Sequence, residues 1–217
     1  MSSCHGPASA ATPARPGGAT LADLPASLRV LLVGGPNVGK STLFNALTGA
    51  RQHTTNAPGT TVELATGIWR TARESGEPAA EHALVDLPGT YSLLARSADE
   101  QVTADSVREL AHTLGAATRP GVAVVVLDAT ALARSLYLLG QVAETGVPIV
   151  VALTMLDLAE NATDSPTASV RPQTLADTLS AALGVPVVPV DARNRADGGL
   201  HPLAEAVHDV AAHPRPV

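Results

Sequence analysis

Short apolar runs alternate along this chain with stretches whose apolar residues recur every three or four positions. Leu28–Val33 is one such run, ending in Gly34-Gly35-Pro36, and predicts a buried strand that enters a turn. Ser41–Gly49 predicts a helix closed by Gly49. Arg51–Thr61 is polar and reads as a loop. Val62–Arg70 and His82–Val85 read as strands, the second ending at Asp86. Ala98–Leu114 predicts a helix stopped by Gly115. Val122–Leu127 is apolar throughout and ends at Asp128. Leu132, Leu136, Leu139 and Val142 repeat at helical spacing. Pro148–Leu153 is a further buried strand. Leu175, Leu179 and Leu183 mark a helix before Gly184, Val185–Val190 the last strand, and Leu200, Leu203, Val207 and Val210 the last helix.

Strands that are apolar on both faces must be covered on both faces, so the pattern predicts an α/β fold. Its mostly parallel, six-stranded sheet would be flanked by helices in three layers. Ligands of such sheets bind beyond the carboxyl ends of the strands, where the informative residues should lie. The pattern begins at Leu28. Residues 1–27 are rich in Ala, Pro, Gly, Ser and Thr and read as a flexible leader; the G-domain reading developed below covers 28–212, and 213–217 is a tail.

Composition narrows the classes. Of 217 residues, 45% are hydrophobic and 16% charged, which is globular rather than disordered. The net charge of −6 argues against a nucleic-acid binder held by a general basic field. No apolar run approaches the ~20 residues that span a bilayer, and no signal peptide is evident, so the expectation is a cytoplasmic protein. The single cysteine, Cys4, excludes an intramolecular disulfide framework, and Cys4-His5 supplies only two ligands for a metal. One count changes the picture. Of 14 basic residues, 13 are arginine, and the exception is Lys40. Lysine is a compact point charge where arginine is a broad planar fork.

Lys40 sits in Gly34-Gly35-Pro36-Asn37-Val38-Gly39-Lys40-Ser41, followed by Thr42, which fits G-x-x-x-x-G-K-[ST] between a strand and a helix. Glycines let the backbone curl so that successive N–H groups face phosphate oxygens, and the helix N-terminus adds its positive end. Lys40, read as reaching out of a solvated loop, serves the β- and γ-phosphates, and the Ser41 hydroxyl serves Mg2+. Pro36 occupies the place of the second glycine in a Rossmann fingerprint and excludes that reading. Asp86-Leu87-Pro88-Gly89 gives D-x-x-G after a strand; the carboxylate can hold Mg2+ through water and the Gly89 N–H can meet the γ-phosphate. Thr154-Met155-Leu156-Asp157 follows the fifth predicted strand, where GTPases carry N-K-x-D. Asp157 is placed to accept two hydrogen bonds from guanine, with an ordinary strand-end carboxylate as the alternative. Thr154 departs from asparagine and removes either a base contact or a loop brace.

These strings resemble the G domain of FeoB, the bacterial ferrous iron transporter family, from about Leu28 to Val210. The resemblance rests on Gly35 through Gly49, on Asn56-Ala57-Pro58-Gly59-Thr60-Thr61-Val62-Glu63, on Val126-Leu127-Asp128-Ala129-Thr130, and above all on Asp86-Leu87-Pro88-Gly89-Thr90-Tyr91-Ser92-Leu93. It implies a P-loop GTPase that hydrolyses GTP to GDP and phosphate with Mg2+. Gly59, Thr60 and Thr61 fall in switch I, and Thr61 would close on Mg2+ and the γ-phosphate. Thr90 stands where many GTPases have a water-orienting glutamine. FeoB-like GTPases are potassium-assisted, and Asn37 matches the asparagine that helps hold K+. Catalysis would then rest on Asn37, Lys40, Thr61 and Gly89. Asp191-Ala192-Arg193 matches the last base-contacting loop, with Asp191 in place of the family's usual serine. The helical regulatory and membrane domains of the family have no counterpart in this sequence, so the implied partner is a separate membrane permease or a FeoA-like protein.

Two alternatives stay open at this level: an Era-like ribosome-assembly GTPase, and a nucleotide-dependent binding module with negligible turnover. The remaining conspicuous residues draw structural readings. His53 and His82 are expected to be solvated, Trp69 and Tyr137 to pack, and Glu100, Asp105 and Glu109 to form the wet face of a helix.

Overall fold

The computed structural model describes residues 28–50, 52–57, 60–71, 79–115, 120–161, 170–194 and 198–214. The leader at 1–27 with its Cys4-His5 pair, Pro58-Gly59 and the end of the tail lie outside the described residues. Strands β1 (Leu28–Gly34), β2 (Gln52–Asn56), β3 (Glu63–Thr71), β4 (Ala80–Asp86), β5 (Gly121–Asp128), β6 (Ile149–Thr154) and β7 (Val187–Pro189) form one sheet in the order β2-β3-β4-β1-β5-β6-β7. Pairing is parallel from β4 across β1, β5 and β6 to β7, and antiparallel between β2, β3 and β4. The helices are α1 (Lys40–Thr48), α2 (Ala98–Gly115), α3 (Leu132–Ala143), α4 (Leu156–Asn161), α5 (Pro172–Leu183) and α6 (Leu200–Ala212).

The apolar strands are apolar because both faces are covered. Along β1, Leu31 and Val33 join the core under α2, α3 and α5, whereas Val30 and Leu32 join the core under α1 and α6. The two cores share the sheet and give the three layers. α3 meets the sheet through Leu138, Leu139 and Val142, and α6 through Leu203, Val207 and Val210. The edge nearest β2 is the antiparallel part, and the P-loop leaves the carboxyl end of the central strand β1.

The sheet has seven strands rather than six. The added strand, β2, lies inside the polar segment 51–61 expected to be a loop. Its residues carry no apolar alternation; it becomes a strand by pairing with the edge of β3, with Thr54 opposite Ala65 and Asn56 opposite Glu63. Backbone hydrogen bonding is indifferent to side-chain type, so composition conceals such an edge strand. The short helix α4 also falls outside the periodicity reading.

His82 is a second correction. It is buried rather than solvated, at 3% exposure. Two residues before Leu84 on β4, it shares that residue's face of the sheet and lies under α6. Its Nε2 stands 2.8 Å from Nε2 of His208, and the Thr71 hydroxyl lies 3.0 Å from the first ring and 3.2 Å from the second. One imidazole donates and the other accepts, and Trp69 packs edge-on against His82. Trp69 is buried as expected, His53 is exposed, and Tyr137 is a correction, lying 57% exposed on the outer side of α3.

Phe44, the only phenylalanine, is 1% exposed between α1 and the sheet. Phe44→Ala should destabilise the chain by about 3–5 kcal/mol through lost burial and a residual cavity. Urea unfolding monitored by circular dichroism measures it, and a loss below about 1 kcal/mol would contradict the packing described.

Candidate functional site

The turn after β1 is held open by glycine where side chains cannot fit. A Cβ on Gly35 would stand 2.8 Å from the Tyr91 ring, and Gly39 has a φ of 87° at the N-cap of α1. Asn37 also takes a left-handed conformation, with φ 63°, and is exposed. The segment after β4 packs directly on this turn. A Cβ on Gly89 would lie 2.9 Å from both N and Cα of Pro36. The Thr90 N–H donates to the Gly34 carbonyl at 3.0 Å, and the Leu87 N–H to the Leu32 carbonyl at 3.2 Å.

At the start of α1 the charged groups converge. Lys40 Nζ donates to Asp86 Oδ1 at 2.6 Å, and the Ser41 hydroxyl donates to Asp86 Oδ2 at 2.8 Å. Lys40 is only 8% exposed, which corrects the expectation of a side chain reaching into solvent. The cause is β4, which ends beside β1 and places its terminal carboxylate over the helix N-terminus. Charge-assisted bonds of this kind are short and about twice as strong as neutral ones. The three residues wall a cleft of about 560 Å³ that also takes in Thr61, Leu87, Pro88 and Gly89. Asn37 is not part of that wall. Glu63 and Asp99 line it as well and were not singled out from sequence; Asp99 opens α2, a position that favours a carboxylate for helix reasons alone.

The two threonines nearest the cleft differ. Thr61 is exposed on its wall, whereas the Thr60 hydroxyl donates to the Ala57 carbonyl at 3.2 Å and accepts from the Val62 N–H, bracing its own turn. Thr90 is 2% exposed; its hydroxyl donates to the Ser92 carbonyl at 2.6 Å and accepts from the Ser92 N–H at 3.1 Å. It folds back into its own turn. Gly59 lies outside the described residues.

On the other side of the P-loop a pocket of about 140 Å³ gathers every residue expected at a base. Thr154, Met155, Leu156 and Asp157 form one wall, Asp191, Ala192 and Arg193 another, and Gly39 and Thr42 the floor; Val190, a strand-end apolar residue with no motif to mark it, joins them. Thr154 is 4% exposed, with its hydroxyl 2.8 Å from the Val38 carbonyl and 3.0 Å from the Leu127 carbonyl. The substitution of asparagine has therefore kept a brace between β6 and the P-loop. Asp191 and Asp157 are joined by Arg193, whose Nε lies 2.9 Å from Asp191 Oδ1 and whose terminal nitrogen lies 3.1 Å from Asp157 Oδ2. The hydrogen bond from Arg193 holds the Asp191 carboxyl below its ordinary range, and the two carboxylates push the guanidinium further up.

A parallel sheet, a P-loop at the start of α1, a D-x-x-G turn packed on it and a carboxylate-bearing base pocket together define the G domain of a P-loop GTPase. The comparisons agree. The FeoB N-terminal family model, described as ferrous iron transport protein B, matches residues 28–207. The chain belongs to the FeoB family, not to the Era-like GTPases. It is 42% identical to the Fe(2+) transporter FeoB of Escherichia coli strain K12 over 185 residues, covering 83% of this chain and 21% of that protein. It is 47% identical to the Fe(2+) transporter FeoB of Legionella pneumophila strain Paris over 135 residues, 60% of this chain and 16% of the relative. The chain thus spans about a fifth or less of the length of these relatives. Among solved structures, the G domain of the Thermotoga maritima FeoB superposes with a TM-score of 0.65 at 32% identity, covering 85% of this chain and 98% of that one. The cytosolic domain of L. pneumophila FeoB gives 0.67 at 36% identity, covering 87% and 66%.

Thr154→Val removes the hydroxyl at constant shape and leaves the Val38 carbonyl without that donor. The expected loss is about 1–3 kcal/mol of unfolding free energy, with Thr154→Ser retaining most of the stability. Denaturant midpoints of the two variants test the brace; equal midpoints for Val and Ser would remove it.

Proposed function

We propose that this chain binds GTP and hydrolyses it to GDP and phosphate with Mg2+ and, in the transition state, a potassium ion. One observation carries the proposal. The base pocket and the Lys40–Asp86 cleft flank the same P-loop, the arrangement a purine nucleoside triphosphate requires. The T. maritima FeoB cytosolic domain has been solved in GDP and GMPPNP forms, and a Streptococcus thermophilus FeoB fragment bound to GDP, which supports the choice of nucleotide.

Each protein group then has a role. Gly34 through Gly39 direct backbone N–H groups at phosphate oxygens. Lys40 exchanges the Asp86 carboxylate for β- and γ-phosphate oxygens, so a buried ammonium stays paired throughout. Ser41, Thr61 and Asp86 present only oxygen, the donor set that suits Mg2+. Mg2+ would neutralise charge on the β- and γ-phosphates. Asn37, on the exposed P-loop, offers a carbonyl oxygen to K+, with switch I carbonyls completing the shell. Gly89 brings its N–H to the γ-phosphate side because Pro36 leaves no room for a side chain there. Asp157 accepts from guanine, with Thr154 and Asp191–Arg193 shaping the pocket.

Thr90 cannot orient water while its hydroxyl serves Ser92, so charge compensation must come from elsewhere. An arginine finger contributes ~10³–10⁵ in rate, and an ion in its place recovers part of that. The same observation favours a second reading, a nucleotide-dependent binding module with little turnover. Because the relatives are Fe(2+) transporters, we place the chain at the cytoplasmic face of a membrane, signalling its nucleotide state to a ferrous iron permease or a FeoA-like protein.

Lys40→Ala should weaken GTP binding at least ~10-fold, the loss of charge-assisted contacts worth ~1.5–3 kcal/mol; unchanged affinity by calorimetry would remove the P-loop assignment. Wild-type protein should release phosphate faster in potassium than in sodium at equal ionic strength under single-turnover conditions. Asn37→Ala should erase that difference while largely sparing GDP binding. Equal wild-type rates in the two salts would exclude the cation mechanism, and negligible rates in both would leave the binding module.

A further inference from the structure

Asp157 can recognise guanine only through its carboxylate oxygens, which accept from N1–H and the exocyclic amine. One of those oxygens, Oδ2, already lies 3.1 Å from the Arg193 guanidinium. Arg193 is held there from the other side by Asp191, through Nε and a second nitrogen 3.3 Å from Oδ2. The Arg193 N–H also donates to Asp191 Oδ1 at 3.1 Å, which fixes the turn that carries the side chain. All three side chains line the base pocket. The guanidinium is 64% exposed, so it has room to swing away.

From this geometry we propose that Arg193 is a specificity-determining latch, which competes with guanine for Asp157 and is aligned for that competition by Asp191. The proposal rests on the assignment of Asp157 as the guanine acceptor. A guanine nucleotide must displace Arg193 from Asp157 before it can make both base hydrogen bonds. Adenine has no N1–H to offer and carries an acceptor there instead, so it gains nothing from the displaced carboxylate. The latch therefore subtracts from guanine affinity and not from adenine affinity, and it lowers discrimination between them. Phosphate contacts are common to both nucleotides and cancel in the ratio of their affinities.

Because the latch is an exposed ion pair, it is weak and screened by salt. Its removal should raise GDP affinity about two- to five-fold, the range that exposed pairs cover. The test measures GDP and ADP dissociation constants by calorimetry for the wild type, Arg193→Ala and Asp157→Asn, at low and high salt. Arg193→Ala should tighten GDP, leave ADP unchanged and raise the guanine-to-adenine ratio. In the wild type that ratio should rise with salt, and in Arg193→Ala the rise should vanish. Unchanged or weaker GDP binding by Arg193→Ala would overturn the latch. Asp157→Asn separates the two levels of the argument, because an amide at this position suits xanthine. A shift from GTP to XTP preserves the base assignment whatever Arg193 does. Continued preference for GTP over XTP would remove the assignment and the latch with it. Arg193 is exposed, so its truncation should leave the fold intact, and an unchanged thermal unfolding midpoint checks that.

Discussion

The carboxylate of Asp86 ties the site together. It ends β4, accepts from Lys40 at 2.6 Å and from Ser41 at 2.8 Å, and so links two strands, the P-loop and the first turn of α1. An ammonium at 8% exposure would be costly without a partner, since burying an isolated charge is unfavourable by several kcal/mol. The pairing makes the lone lysine tolerable in a largely dry position and keeps it next to the place where phosphate charge is expected. Ligand binding then becomes an exchange of one anionic partner for another, with no interval in which the lysine is bare.

The rest of the fold serves that convergence. β1 and β4 are parallel neighbours in register, so their carboxyl ends come out on the same edge of the sheet. Their apolar residues alternate between two cores, one under α1 and α6 and one under α2, α3 and α5. Fixing both faces of the strands fixes the direction in which Gly34 and Asp86 leave the sheet. The close contact of Gly89 with Pro36 and the bond from Thr90 to Gly34 then press one loop upon the other. A change in the γ-phosphate is felt at both loops because they are already in contact.

The base side follows a different logic. Thr154 does not simply lose what asparagine would supply, because its hydroxyl still reaches the Val38 carbonyl from the end of β6. Asp191 is likewise more than a missing serine, since it orients Arg193 toward Asp157. Departures from the family pattern thus cluster around one carboxylate, and they alter its electrostatic surroundings rather than its position. The phosphate side keeps the family pattern in full.

How much of this was legible in the sequence follows from the range of the interactions involved. Strands buried on both faces announce themselves as apolar runs, and β1, β5 and β6 were readable for that reason. The P-loop and the D-x-x-G turn were readable because phosphate binding demands particular residues at fixed short spacing. β2 was not, because an edge strand of polar residues is made by backbone pairing with β3 and leaves no apolar alternation. The burial of His82 beneath α6 depends on a contact with His208, 126 positions away. The pairing of Lys40 with Asp86 depends on strand order, which no local pattern encodes. The same holds for Arg193, whose place in the base loop could be inferred by resemblance. Its hold on Asp157 arises only when the ends of β6 and β7 are brought side by side. Sequence by itself determined which short segments can bind phosphate and which strands must be buried. Tertiary structure decided which charges meet, because those meetings are made by sheet order across distances that sequence spacing does not express.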